Sequence, residues 1–159
     1  MRYQTALRSE GRHSNLGTGP FLPQETNNMS IRIVRLGSPR AADEGLRIGT
    51  VRRPPRGVPK AEFATQNWYD CWYPNLAPSA ETMALGQAAQ ASGDAKAWAG
   101  FRKQYLREMN TPEASRNLDL LAALSHGANL SVGCYCEHEE RCHRSLLREL
   151  LAARGAAIA

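Results

Sequence analysis

The chain has 159 residues, 42% hydrophobic, 7% aromatic and 22% charged, a size that suits one domain and leaves little room for two. Its 20 Lys and Arg outnumber 15 Asp and Glu, so the formal charge of +5 favours anionic partners without naming one. No window approaches the roughly 18 consecutive apolar residues of a spanning helix, which argues against a membrane partner.

The charge is uneven along the chain. Residues 1–28 carry three Arg and two Glu, residues 29–60 carry eight Lys or Arg against Asp43 and Glu44, and residues 61–159 carry nine against eleven acids. The basicity therefore belongs to the 29–60 segment, and a disordered basic arm would produce it as readily as an anion-binding site. Residues 1–28 are polar, hold Gly11, Gly17, Gly19, Pro20 and Pro23, and are expected to form a poorly ordered extension. They show no signal-peptide core, so the cytoplasm is the default location. In that compartment Cys71, Cys134, Cys136 and Cys142 are expected as thiols or metal ligands rather than disulfides.

From Met29 the apolar pattern begins. Ile31, Ile33, Val34 and Leu36 predict a strand ended by Gly37-Ser38-Pro39, and Leu46–Val51 predict a second that runs to Arg52 and Arg53 before Pro54-Pro55. Residues 54–77 read as an irregular loop with Trp68, Tyr69, Trp72 and Tyr73. These rings are expected to cover the end of the core, with one or two lining a pocket. Three helices follow. The first is capped by Ser79 and stopped by Gly93, and the second is capped by Asp94 with a core stripe of Trp98, Phe101, Tyr105 and Met109. The third opens at Thr111-Pro112-Glu113 and runs through Leu118, Leu121 and Leu124 to a stop at Gly127, with His126 structural in its last turn. Residues 128–136 predict a buried strand. Leu146, Leu147, Leu150 and Leu151 predict an amphipathic helix from about Cys142 to Arg154. Strand, short polar loop and helix start thus meet at residues 134–145.

Three chemistries fit that meeting point. Cys134, Cys136, Cys142 and His143 could hold zinc or iron, because residues 134 and 136 face one side of a strand; the C-x-C-x5-C-H spacing, however, is not a common zinc knuckle, and this reading is not favoured. An anion site needs fewer assumptions: the start of the last helix, Arg144 and His143 would face Arg52, Arg53 and Arg56 if the strands run parallel, since strand ends and helix N-termini then share one edge. Lastly, Cys142 could be a nucleophile with a lowered pKa and His143 a switchable donor beside it. Adjacent helical residues point about 100° apart, so the base is expected from His138, His126 or Glu137 rather than His143.

Four ordered blocks carry a family resemblance: Gly45–Lys60, Asp70–Ser79, Trp98–Tyr105, and Cys134-Tyr-Cys-Glu with Cys142-His-Arg-Ser145. From about Met29 to Leu151 the chain resembles the YeaO-like bacterial domain-of-unknown-function family, DUF four-eight-eight. The resemblance implies a compact α/β domain over residues 29–159, with the strand ending in Arg53 and the Cys142-His-Arg helix start as hallmark polar features. It implies no activity. The sequence departs from the commoner V-D-R-L-W-P-R-G pattern at Val51-Arg-Arg-Pro-Pro-Arg-Gly57, which lacks its Asp and Trp, and it has Cys136 where many relatives have Glu.

The expectation is therefore a single α/β domain with a small, mostly parallel sheet flanked by helices. Its site is an anion pocket of Arg52, Arg53, Arg56, His143 and Arg144 for a phosphate-bearing or nucleotide-like small molecule. Nucleic-acid binding through residues 29–60 and a Cys/His metal site are the alternatives.

Overall fold

A computed structural model describes residues 28–159, so the extension expected over residues 1–28 lies, apart from Asn28, outside the described residues. Four strands form one sheet: β1 (Ile31–Arg35), β2 (Leu46–Gly49), β3 (Cys71–Trp72) and β4 (Leu130–Cys134), in the order β1-β4-β2-β3. Every pairing is parallel, with Ile33 opposite Val132 and Ile48 opposite both Val132 and Cys71. The last strand in sequence thus takes the centre, and all five of its residues are buried, which is why it reads as a near-continuous run of small and apolar side chains. β3 is the element that the sequence does not announce: two exposed residues at an edge carry no alternation to detect.

The helices are α1 (Ala80–Ser92), α2 (Ala95–Met109), α3 (Pro112–Leu124) and α4 (His143–Ala152). Their starts follow the sequence closely. Ser79, Asp94 and Thr111 each accept a backbone N–H with the side chain, and Pro112 opens α3. Gly93 ends α1 at φ 66°, as its position suggests. Gly127, by contrast, has no positive φ; α3 ends on Ser125 in a right-handed conformation, and Leu124 is exposed. His126 reaches from there to the Gly155 carbonyl at 2.8 Å and ties α3 to the C-terminal tail, where Ile158 bridges Ile31.

One core joins the sheet residues Ile31, Ile48, Leu130 and Val132 to Phe101, Tyr105 and Met109 of α2, Leu118 and Leu121 of α3, and Leu146, Leu147 and Leu151 of α4. A second, smaller cluster lies at the C-terminal ends of the strands and contains Leu36, Val51, Tyr69, Cys134 and Cys142. Polar groups also enter the interior. Arg47 on β2 is fully buried; it bonds Glu44 and donates to the carbonyls of Ser38 (2.8 Å) and Asn67 (2.7 Å), while the Ser131 hydroxyl donates to Glu44 at 2.7 Å. This buried pair fastens the loops after β1 and before β3 to the sheet. Among the described residues no helix is long and apolar enough to cross a membrane.

Candidate functional site

In a parallel sheet the carboxyl ends of all strands open on one edge, and here the chain leaves that edge through Arg35, through Val51–Arg56 and through Cys134–Cys136. α4 begins at the same edge, and α1 forms a wall beside it. Together they enclose a cavity of about 1060 Å³. Its lining holds five arginines (Arg35, Arg52, Arg53, Arg56 and Arg141) and no Asp or Glu, together with Trp68, Tyr135, Gln87 and Gln90, over a floor of Cys134, Cys136, Cys142 and His143.

The arginines are held in different ways. Arg52 is clamped, donating from Nε to the Pro78 carbonyl and from Nη2 to Ala77, each at 3.0 Å. The side chains of Arg35, Arg53 and Arg56 are exposed and make no hydrogen bond or ion pair among the described residues. Their loop is fixed nonetheless, because the Tyr135 hydroxyl donates to the Arg53 carbonyl at 3.1 Å and the Trp72 indole to the Val51 carbonyl at 2.8 Å. Arg141 buries its Nη1 without a partner among the described residues. Arg144 departs from the expectation: it does not line the cavity but lies beneath it, 3% exposed, donating from Nη2 to the Cys136 carbonyl at 2.7 Å and leaving Nε unpartnered. The helical turn that presents Cys142 to the cavity directs residue 144 to the 134–136 segment behind it. Arg35 and Arg141 were not singled out by sequence reasoning. Their signal was positional, one at the end of a strand and one directly before a helix cap.

At the floor the Cys134 and Cys136 sulfurs are 3.7 Å apart, and the Cys142 sulfur lies within 4.8 Å of that of Cys134. Cys142 and His143 do not diverge as the sequence predicts. Cys142 is the N-cap of α4 with extended backbone, φ −127° and ψ 152°, so the helical 100° offset does not apply, and His143 Nδ1 comes within 3.7 Å of the Cys142 sulfur. His138 and Glu137 are exposed, and His126 is held by Gly155. His143 Nε2 is 2.8 Å from the Thr50 carbonyl, which requires Nε2 to carry the proton and leaves the Nδ1 lone pair facing the sulfur.

Hydrogen bonds among the thiols set the titration of the cysteines, and burial sets that of His143. Burial pulls the imidazole of His143 down to about 4, which keeps the ring neutral near pH 7. The Cys136 thiol is shifted down because Cys134, Cys142 and the Gln90 amide stabilise its thiolate, and the Cys134 thiol that donates to it is shifted up. Contrary to the lowered pKa expected of a thiol at a helix start, Cys142 is drawn down by Cys134 but pushed up to about 11 by its contact with Cys136 and its burial. Cys134, Cys142 and His143 place one ligand atom each within 4.8 Å of one another, which makes them the metal-capable group among the described residues.

No curated protein and no solved structure matches the chain. Residues 31–155 match the family model DUF488-N3a, described as the active DUF488-N3 subclade. The matched span takes in all four strands, all four helices and every cavity residue named above. The chain therefore belongs to the DUF488 family, as a member of its N3a subclade.

Proposed function

We propose that this domain binds a phosphorylated, nucleotide-like anion in the cavity at the carboxyl edge of its sheet. The observation that carries the reading is the cavity's charge: five arginines line it and no carboxylate does. Cationic side chains on a protein surface are ordinarily interspersed with acids, and this chain follows that pattern elsewhere. Arg32 pairs with Asp43, Arg40 with Asp70, Arg102 with Glu149 and Arg148 with Glu139. A rim of unpaired guanidiniums sharing one hollow attracts anions by field and holds phosphate oxygens by paired N–H groups. The volume accommodates more than a bare phosphate, and Trp68 and Tyr135, edge to face at 5.7 Å between ring centres, offer an apolar wall for a ring or ribose.

Within this reading Arg53 and Arg56 are the primary contacts, Arg35 and Arg141 complete the rim, and Arg52 shapes the loop through Ala77 and Pro78. Arg144 supports the floor from below. Isothermal titration calorimetry with pyrophosphate and with ADP tests the reading. Each is expected to bind, and the Arg53→Ala, Arg56→Ala double variant is expected to weaken binding by about tenfold or more per lost charged hydrogen bond. Absence of binding at millimolar ligand, or equal affinity in the double variant, overturns it.

A further inference from the structure

We propose that Cys134, Cys136, Cys142 and His143 form a zinc site that pins the end of β4 to the start of α4. The inference is independent of the anion reading and stands on the geometry beneath the arginines. A tetrahedral zinc with Zn–S near 2.3 Å and Zn–N near 2.0–2.1 Å separates its ligand atoms by about 3.8 Å between two sulfurs and about 3.6 Å between sulfur and nitrogen. Cys134 and Cys136 stand 3.7 Å apart, and Cys142 Sγ and His143 Nδ1 also stand 3.7 Å apart. Cys134, Cys142 and His143 each place a ligand atom within 4.8 Å of the other two, and Cys136 joins this group through its 3.7 Å approach to Cys134.

The surroundings match those of a ligating cluster. His143 donates from Nε2 to the Thr50 carbonyl at 2.8 Å, which fixes the tautomer and turns the Nδ1 lone pair inward, as an outer-shell carbonyl does for a zinc-bound imidazole. The Arg144 backbone N–H points at the Cys142 sulfur at 3.5 Å and the Gln90 amide at the Cys136 sulfur at 3.8 Å, bonds that favour thiolates. Arg144 supplies a separate observation. The residue is 3% exposed, its Nη2 reaches only the neutral Cys136 carbonyl, its Nε has no partner, and it forms no ion pair among the described residues. A buried cation of that kind calls for a nearby negative charge. Zinc with three thiolates and a neutral imidazole carries a net charge of −1 and provides it.

Binding is written as a balanced exchange: the cysteine thiols release their protons to solvent, three Zn–S bonds and one Zn–N bond form, and no electron moves. Four protein ligands close the coordination sphere, so the ion is structural and joins two elements separated by the loop of residues 135–142. The unusual C-x-C-x5-C-H spacing follows from the fold. Residues two apart at a strand end face one side, and an extended N-cap lets consecutive residues 142 and 143 converge.

The test is metal content and cobalt spectroscopy on the full chain. Protein purified without chelator is expected to carry about one equivalent of zinc. After stripping, Co²⁺ titration is expected to give a thiolate-to-cobalt charge-transfer band and the intense visible bands of tetrahedral cobalt. Cys142→Ser, whose hydroxyl preserves the helix cap, is expected to lose both signals, and Cys71→Ser, at an exposed edge, to keep them. Should Cys142→Ser fail to fold, the cobalt spectrum of the unsubstituted chain decides alone. Less than about a tenth of an equivalent of zinc together with no cobalt spectrum overturns the site, as does iron in place of zinc. Pyrophosphate binding by a metal-free chain would leave the anion reading standing while this one fell.

Discussion

At the scale of single residues, the buried pair of Glu44 and Arg47 shows how far a side chain's role is set by what folds over it. In the sequence Arg47 is one polar position in an alternating strand, which ordinarily faces water. In the fold two loops close over that face, and the guanidinium is satisfied by Glu44 and by carbonyls of both loops. Burial pushes the Glu44 carboxyl up, but Arg47, the Ser131 hydroxyl and the Ala41 N–H outweigh it and bring its pKa from 4.5 down to about 2. The pair's contribution is therefore complete above about pH 4.5. Between pH 4.5 and about 2 the unfolded chain takes up a proton that the folded chain refuses, so stability falls, and below that range the contribution is gone. Urea denaturation across that range is expected to show the loss. Glu44→Gln is expected to cost about 3–5 kcal/mol at pH 7, since it strands a buried guanidinium, and to flatten the acid limb. An unchanged acid limb in that variant would assign the pH dependence to other carboxylates.

Elements were legible where local chemistry specifies them. Ser79, Asp94, Thr111-Pro112 and Gly93 mark helix ends through hydrogen bonds made within a few residues, and the structure follows each of them. β4 was legible because burial on both faces demands apolar side chains throughout. The two-residue β3 was not, since its backbone bonds to β2 depend on a neighbour about 20 residues away. The link between β2 and the turn before it rests on Gly45, whose φ is 71° and where a Cβ would lie 2.0 Å from the Asn129 carbonyl oxygen. Gly45→Ala is expected to destabilise the domain by at least about 1–3 kcal/mol by thermal denaturation, combining the left-handed backbone with a backbone clash. A smaller effect would mean that the turn relaxes. Similarly, Thr111→Ala removes the cap of α3 and is expected to cost about 1 kcal/mol.

For the whole molecule, the issue is where the surplus charge goes. Of the eight basic residues between 29 and 60, Arg32, Arg40 and Arg47 are paired with carboxylates, while Arg35, Arg52, Arg53 and Arg56 line the cavity. The positive field is thus focused in a hollow more than spread over a face. Pyrophosphate affinity is expected to fall as salt rises from low to physiological strength, with rim arginines screened first. Duplex DNA, which needs several simultaneous phosphate contacts, is expected to bind weakly and without a steep salt slope; tight, steeply salt-dependent binding would instead favour a nucleic-acid surface. By itself the sequence determined the class of the fold, the helix starts and the segment that holds the charge, because periodicity, capping and composition act over a few residues. Only the tertiary structure decided that Arg141 lines the cavity and Arg144 lies beneath it, that Cys142 and His143 converge, and that Arg47 is interior. Each of these depends on which distant segment covers a side chain, and in this fold the central strand is supplied by the last quarter of the chain.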